Sequence, residues 1–482
     1  MFNSIHGSLV LLMVALVSVN GSTALARTKP QPPAVTAPAP VAPAPGSVTV
    51  NPEFLRHQVL ENDISLDQEL NAVEAAKQQM NISRAKLLPS LNLNVMISSG
   101  PGFLISEIQF LLPFLFPSNW FNMDAATDQF NAEKVAYKIL ELNVYSSTLA
   151  MYYTVLADMQ LEQIYQRQTD DLMEIYHDKK TESDVLGPGS VNPNDLKTLL
   201  ANAQLAQVPA LQMAEIVDHT DTPALRQVMG FPLSTKIKFD LSNMPGSSWE
   251  TKPVEDAVTQ AASVAPENHQ LDYLLKAAQA NKLSAEFGFM NSATLGSSGS
   301  SGKSASFGNM TGGLGFHFGF DIFPNISLAE TNIDSVKLQK VALTRQITQA
   351  LEGVIGSVND AEQQLKLAVA AEQALLDVYD STKQSYEMGY TNLDAVLQAH
   401  IQITAASIDR VKAEQDLNQQ RVTLHRTMIS DQFSQIQGCG VEQAPGSEKK
   451  DGFWHGVFHR HGNDADKKTL VQMCKEGGVR AN

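Results

Sequence analysis

Two periodicities of hydrophobic and polar positions organise this chain. In the first, Leu343, Ile347, Leu351, Val354, Val358, Ala361 and Leu365 fall every three or four residues. That spacing makes one apolar stripe and predicts a single helix over about 325–385. A similar rod is predicted over about 119–183. At about 1.5 Å per residue each rod spans roughly 90 Å. Helices of that length do not fit inside an ordinary globular domain, so they must pack lengthwise on one another.

The second periodicity is two. Leu314, Phe316, Phe318, Phe320 and Ile322 share one face of an extended segment, with Gly315, His317, Gly319 and Asp321 on the other. Leu91, Leu93, Val95 and Ile97 alternate in the same way with Asn92, Asn94, Met96 and Ser98. Four strands are predicted, over about 90–98, 104–116, 287–295 and 312–323. The second alternates less cleanly, because Leu111 and Leu115 break the pattern, and the third is the weakest. Alternation over roughly 9 to 11 residues suits a membrane β-barrel strand, one face to lipid and one to a wet lumen. A soluble, half-buried sheet gives the same signal for any one strand. Four strands cannot close a barrel and lipid tolerates no open sheet edge, so a barrel here requires strands from several copies of the chain.

An internal repeat links the two periodicities. Asn81 and Ala85 correspond to Asn281 and Ala285, Phe116-Pro117 to Phe323-Pro324, Ala157 and Leu161 to Ala361 and Leu365, and Gly189 and Asn192 to Gly389 and Asn392. The order is conserved along an offset near 200 residues, and each half reads as helix, two strands, long helix, glycine turn, helix. The halves are expected at 54–240 and 241–429. Before them, the apolar run Leu9–Val17 leading to Thr23-Ala24-Leu25-Ala26 predicts a signal peptide over 1–26, and 27–53 is a Pro/Ala-rich linker. Residues 430–482, rich in Gly, His and charge, are expected to be a weakly ordered extension.

Composition changes the picture in three ways. With 35 Lys plus Arg against 51 Asp plus Glu, the net charge of -16 argues against a nucleic-acid surface. The 18% charged content and the lack of a second long apolar run exclude a polytopic helical membrane protein. The two cysteines, Cys439 and Cys474, sit in the terminal extension, where export would let them close a disulfide. No HExxH, phosphate-binding glycine loop or nucleophile elbow occurs, so neither an enzyme nor a cofactor is expected. His455, His459 and His461 beside Trp454 and Phe458 are read as a solvated tail rather than a metal site.

Over about 54–428 the chain resembles the TolC family of outer-membrane efflux proteins. The resemblance is carried by Ala75-Ala76-Lys77 and the run Arg84–Leu91 (RAKLLPSL) before the first strand, and by Tyr386–Ala399 (YEMGYTNLDAVLQA) at the second helical turn. It implies a mainly α fold with membrane β: a homotrimer, each chain giving four strands to a 12-stranded barrel continuous with a long periplasmic helical barrel. It also implies a periplasmic adaptor protein and an inner-membrane pump as partners, a site in the outer membrane among its lipids, and efflux or type I secretion as the role. Gly189 and Gly389 fall at the tip turns.

In the family, an aspartate six residues after the first glycine hydrogen-bonds a tyrosine three residues before the second. Asp195 and Tyr386 occupy those positions and are expected to latch the tip. The family's latch arginine falls at Thr391, and its constriction aspartates fall at Ala395 and Gln398, with Asp394 one position from the first. A strong acidic ring is therefore not expected. A periplasmic or surface coiled-coil protein, structural or adhesive and lacking a pore, stays open as the other reading of the long helices.

Overall fold

The computed structural model describes residues 47–87, 116–187, 190–288, 322–439 and Cys474. Among them helix predominates. The chain opens on strand β1 (Ser47–Val50), then helices α1 (Pro52–Asn62) and α2 (Ile64–Ala85). The 70-residue helix α3 (Pro117–Leu186) and the 24-residue α4 (Pro193–Ile216) follow. A π-helical turn (Val217–Asp221) leads into α5 (Thr222–Val228), strand β2 (Lys236–Phe239), α6 (Val254–Val264) and α7 (Pro266–Glu286). The 66-residue α8 (Ile322–Glu387), α9 (Leu393–Met428) and a 3₁₀ turn (Asp431–Gln435) complete it.

The length of α3 follows from its composition. Past Pro117 at its first position it contains neither proline nor glycine until Gly187 ends it. Leu142, Leu149 and Leu156 recur every seven residues, as do Tyr145 and Tyr152, and all five are buried. Around them gather Val50 of β1, Leu55 and Val59 of α1, Leu66, Leu70 and Val73 of α2, and Leu225 of α5. The tyrosines solve their own polar problem: the Tyr152 hydroxyl donates to the Asp240 carbonyl, and that of Tyr145 lies against Gln432 Oε1 and the Pro52 carbonyl. In the other half, α8 buries Leu351, Ile355, Val358 and Ala361 against α6 and α9, so the predicted stripe is the packed face.

Several expectations on element boundaries are corrected. β1 lies inside the span predicted as linker; it pairs in parallel with β2, Ser47 opposite Lys236 and Val50 opposite Phe239. A four-residue strand whose partner lies far along the chain leaves little trace in local pattern. Ile322, expected on the lipid-facing side of the last strand, and Phe323, expected to end that strand, instead open α8, because Pro324 fits the first turn of a helix, where its missing N–H costs no bond. Phe287 caps α7 and Gly288 continues in a tight turn, so the predicted third strand does not begin at 287. The remaining strand residues, including Leu314, Phe316, Phe318 and Phe320, lie outside the described residues, as do the predicted signal peptide and the tail histidines.

The start of the terminal extension is ordered against the core. Phe433 and Ile436 are fully buried, and the Phe433 ring lies 4.9 Å from that of Tyr145. A disulfide joins Cys439 to Cys474, both buried in the same cluster. Close by, Gly438 adopts φ 66°, and a Cβ there would stand 2.9 Å from Lys138 Cβ. Gly438→Ala combines left-handed strain with that clash and is expected to lower stability by about 2 kcal/mol, read as a fall in urea midpoint at unchanged slope.

Candidate functional site

The two long helices turn back at neighbouring places, and these turns carry the residues that the sequence singled out. At the second turn α8 ends in a left-handed glycine: Gly389 has φ 77°, and the Tyr390 amide donates back to the Ser385 carbonyl at 2.8 Å. At the first turn Gly189 lies outside the described residues. The residue that ends α3 is Gly187, with φ 91° and its amide bonded to Ser183 at 3.1 Å. The return helices begin alike. Asn192 Oδ1 accepts from the Asn194 amide at 3.0 Å, and Asn392 Oδ1 from the Ala395 amide at 3.1 Å.

The expected latch residues come close without bonding. Asp195 stands in the first turn of α4, where the helix dipole favours a carboxylate, and Tyr386 lies in the last turn of α8. Among the described residues no hydrogen bond joins them. Partial burial raises the Tyr386 phenol; the Lys179 cation opposes that shift and the charge of Asp195 adds to it. The direct contact of Tyr386 is with Lys179, whose Nζ sits 4.9 Å from the ring centroid and 2.8 Å from Glu182 Oε2. A second link, Lys383 to Glu174 at 3.4 Å, also ties α8 to α3. Lys179 was invisible to sequence reasoning: a lysine in a charged stretch gives no signal until the fold brings it under a tyrosine 207 positions away.

The three constriction candidates lie on the first turns of α9. Asp394 and Gln398 are exposed and share one face at a spacing of four, whereas Ala395 is half-buried. Beneath them Leu393, Val396, Ala399 and Ile403 pack on Ile175, Leu199 and Tyr379, which fixes α9 against α3, α4 and α8. Around the turns Val185, Leu186, Met388 and Tyr390 leave large apolar groups in solvent.

Two long helices, each folded back on a shorter one and held together near their turns, form the architecture that comparison with solved structures decides. A membrane protein from Pseudomonas aeruginosa is similar with a TM-score of 0.60 at 17% identity, covering 84% of this chain and 97% of that one. The Campylobacter jejuni CmeC outer membrane channel is similar at 0.59 and 15% identity, covering 78% and 85%. The chain has the fold of the TolC-family outer-membrane channels. A third such likeness, to the outer membrane protein VceC of Vibrio cholerae, reaches 0.59 at 12% identity and covers 81% of this chain and 97% of that one. No protein-family model matches the chain, and no curated protein matches it. At these identities the TolC-type fold is what the likeness carries. Among the described residues no helix is long and apolar enough to cross a membrane, and no cluster of three or more potential ligands would hold a metal ion.

Proposed function

We propose that this protein is the outer-membrane channel of a tripartite efflux or type I secretion system: a homotrimeric conduit through periplasm and outer membrane, gated at its helical turns. The observation that carries this reading is the extent of the likeness, which spans 97% of two solved membrane proteins and more than four fifths of this chain. In this reading the two halves of the chain are structural repeats, and the alternating segments 90–98, 104–116, 289–295 and 312–321 supply the four strands each copy gives to a 12-stranded barrel. The pore-free coiled-coil alternative has no comparable support, since named neighbours are channels.

Exposure on α8 supports the trimer. Leu338 and Leu367 are 69% and 71% exposed, and at about 100° per residue they lie opposite the buried face of Ile347, Leu351 and Val358. Apolar groups on the outward side of a helix await a partner surface, and a second copy would cover them. Val185, Leu186, Met388 and Tyr390 at the turns suit a periplasmic adaptor linked to an inner-membrane pump.

The gate reading assigns Tyr386 as the latch tyrosine, with Lys179 as its direct contact and Asp195 as the neighbouring charge; Gly187, Gly189 and Gly389 serve the turns. With glutamine and alanine at 398 and 395, Asp394 is the acidic residue nearest the constriction. In planar bilayers Asp195→Ala and Tyr386→Phe are expected to raise the mean conductance severalfold. Unchanged conductance in both variants would sink the latch.

A further inference from the structure

One polar cluster lies deeper in the helices than the latch and is not used by it. His400 is 2% exposed on α9, with Nε2 3.6 Å from Asp171 Oδ2 on α3. The Tyr379 ring from α8 lies 5.1 Å from the imidazole. Tyr379 is 6% exposed, and its hydroxyl is buried without a hydrogen-bond partner. All three side chains line a cavity of about 180 Å³ between α3, α8 and α9, together with Arg167, Glu372 and Thr404. A cavity with that many polar groups is roomy enough for several waters, which would satisfy the phenol and give protons a path to a buried imidazole.

The separation of 3.6 Å is too long for a hydrogen bond of a neutral ring but within reach of an ion pair. Lining the cavity with the ring are Arg167 and Asp171 from α3 and Glu372 and Tyr379 from α8; Asp380 of α8 and Glu174 of α3, the latter paired with Lys383, lie near the Tyr379 phenol. Glu372 is already engaged by Arg410 at 2.7 Å, and the charges of Asp171, Asp380 and Glu174 help burial push the Tyr379 phenol upward, so it stays a donor. Imidazole is the side chain whose unperturbed charge changes between acidic and neutral pH.

We propose that His400 and Asp171 form a proton-operated clamp between the two helical hairpins. Protonation of His400 draws α9 onto α3 and tightens the turns, and deprotonation releases them, so the gate opens more readily at neutral than at acidic pH. The clamp is a geometric statement about these helices; its effect on flow rests on the channel reading above.

The test uses the full-length protein, as wild type, His400→Gln, Asp171→Asn and the double variant. Thermal unfolding is followed at about pH 5.5 and about pH 8. At the acidic pH the loss in Tm of the double variant falls short of the sum of the single losses by several degrees; at the alkaline pH the losses add. Asp171 is only partly buried, so the asparagine variant keeps the cycle interpretable even where the His400 variant is weakly folded. In planar bilayers the wild-type current falls severalfold from the higher to the lower pH, and the step disappears in both single variants. Additive losses at both pH values, or a pH step unchanged in both variants, overturn the clamp. Coupling at acidic pH in a protein that passes no current under any condition leaves the clamp standing and defeats the channel reading instead.

Discussion

Arg421→Ala will lower the unfolding free energy by about 3 kcal/mol, because it strands a buried carboxylate. Arg421 Nε and one terminal nitrogen each lie 3.2 Å from the oxygens of Glu250, while Nη1 donates to the Met244 carbonyl at 3.3 Å. The Glu250 side chain is 9% exposed and also accepts from the Ser247 amide at 2.7 Å. Around this pair, Asn418 takes the Met244 amide at 2.9 Å and His425 reaches the Pro245 carbonyl at 3.0 Å. Three α9 residues spaced by three and four thus strap the segment 243–250 along the helix. Removing the guanidinium leaves one charge without compensation, whereas replacing both partners by apolar groups, Arg421→Met with Glu250→Leu, should cost much less. Denaturant unfolding of the two variants checks this: the alanine variant must be the less stable by about 2 kcal/mol or more. Equal stability would mean that the pair is effectively solvated.

Glu141→Gln should stabilise the protein, and only at neutral to alkaline pH. Glu141 lies in α3 with both carboxyl oxygens buried, beside the Tyr137 hydroxyl and the Gly438 amide. Burial pushes its carboxyl up from 4.5 to about 8, and the nearby Lys138 ammonium, the Gly438 amide and the Tyr137 hydroxyl only partly oppose this. The folded state therefore holds a proton that the unfolded chain has already lost. For a raised carboxyl, the stability tied to that proton is complete below pH 4.5, declines as pH rises, and is gone above about 8. Glutamine keeps the shape of the protonated acid without the titration. A gain of about 2 kcal/mol is expected near pH 8, shrinking towards zero at pH 4.5. Melting curves across that range test it; a gain that is the same at both ends would show that Glu141 does not hold a proton on folding.

What the sequence made legible was whatever repeats within one element. The stripe from Leu343 to Leu365 named the packed face of α8, because a helix reports its partner every three or four residues. Asn392 and Gly389 announced the second turn through a cap and a left-handed backbone that few other residues accept. What stayed hidden depends on pairing across distance. β1 is four residues long and meets β2 far along the chain. Phe433 and Ile436 lie in a stretch otherwise polar, and only the tertiary fold brings them onto Tyr145. At the first turn the repeat pointed to Gly189, and pattern alone could not tell that Gly187 takes a positive φ. At the turns themselves, Asp195 and Tyr386 were legible as neighbours, but the lysine that fills the space beneath the ring was not.

Pore formation by this chain is the property on which its channel role depends. The full-length protein, expressed with residues 1–26 in place and extracted from the outer-membrane fraction, should run as a heat-dissociable trimer and give discrete single-channel currents in a planar lipid bilayer. A monomer recovered from the soluble periplasmic fraction, with no currents in the bilayer, would contradict it.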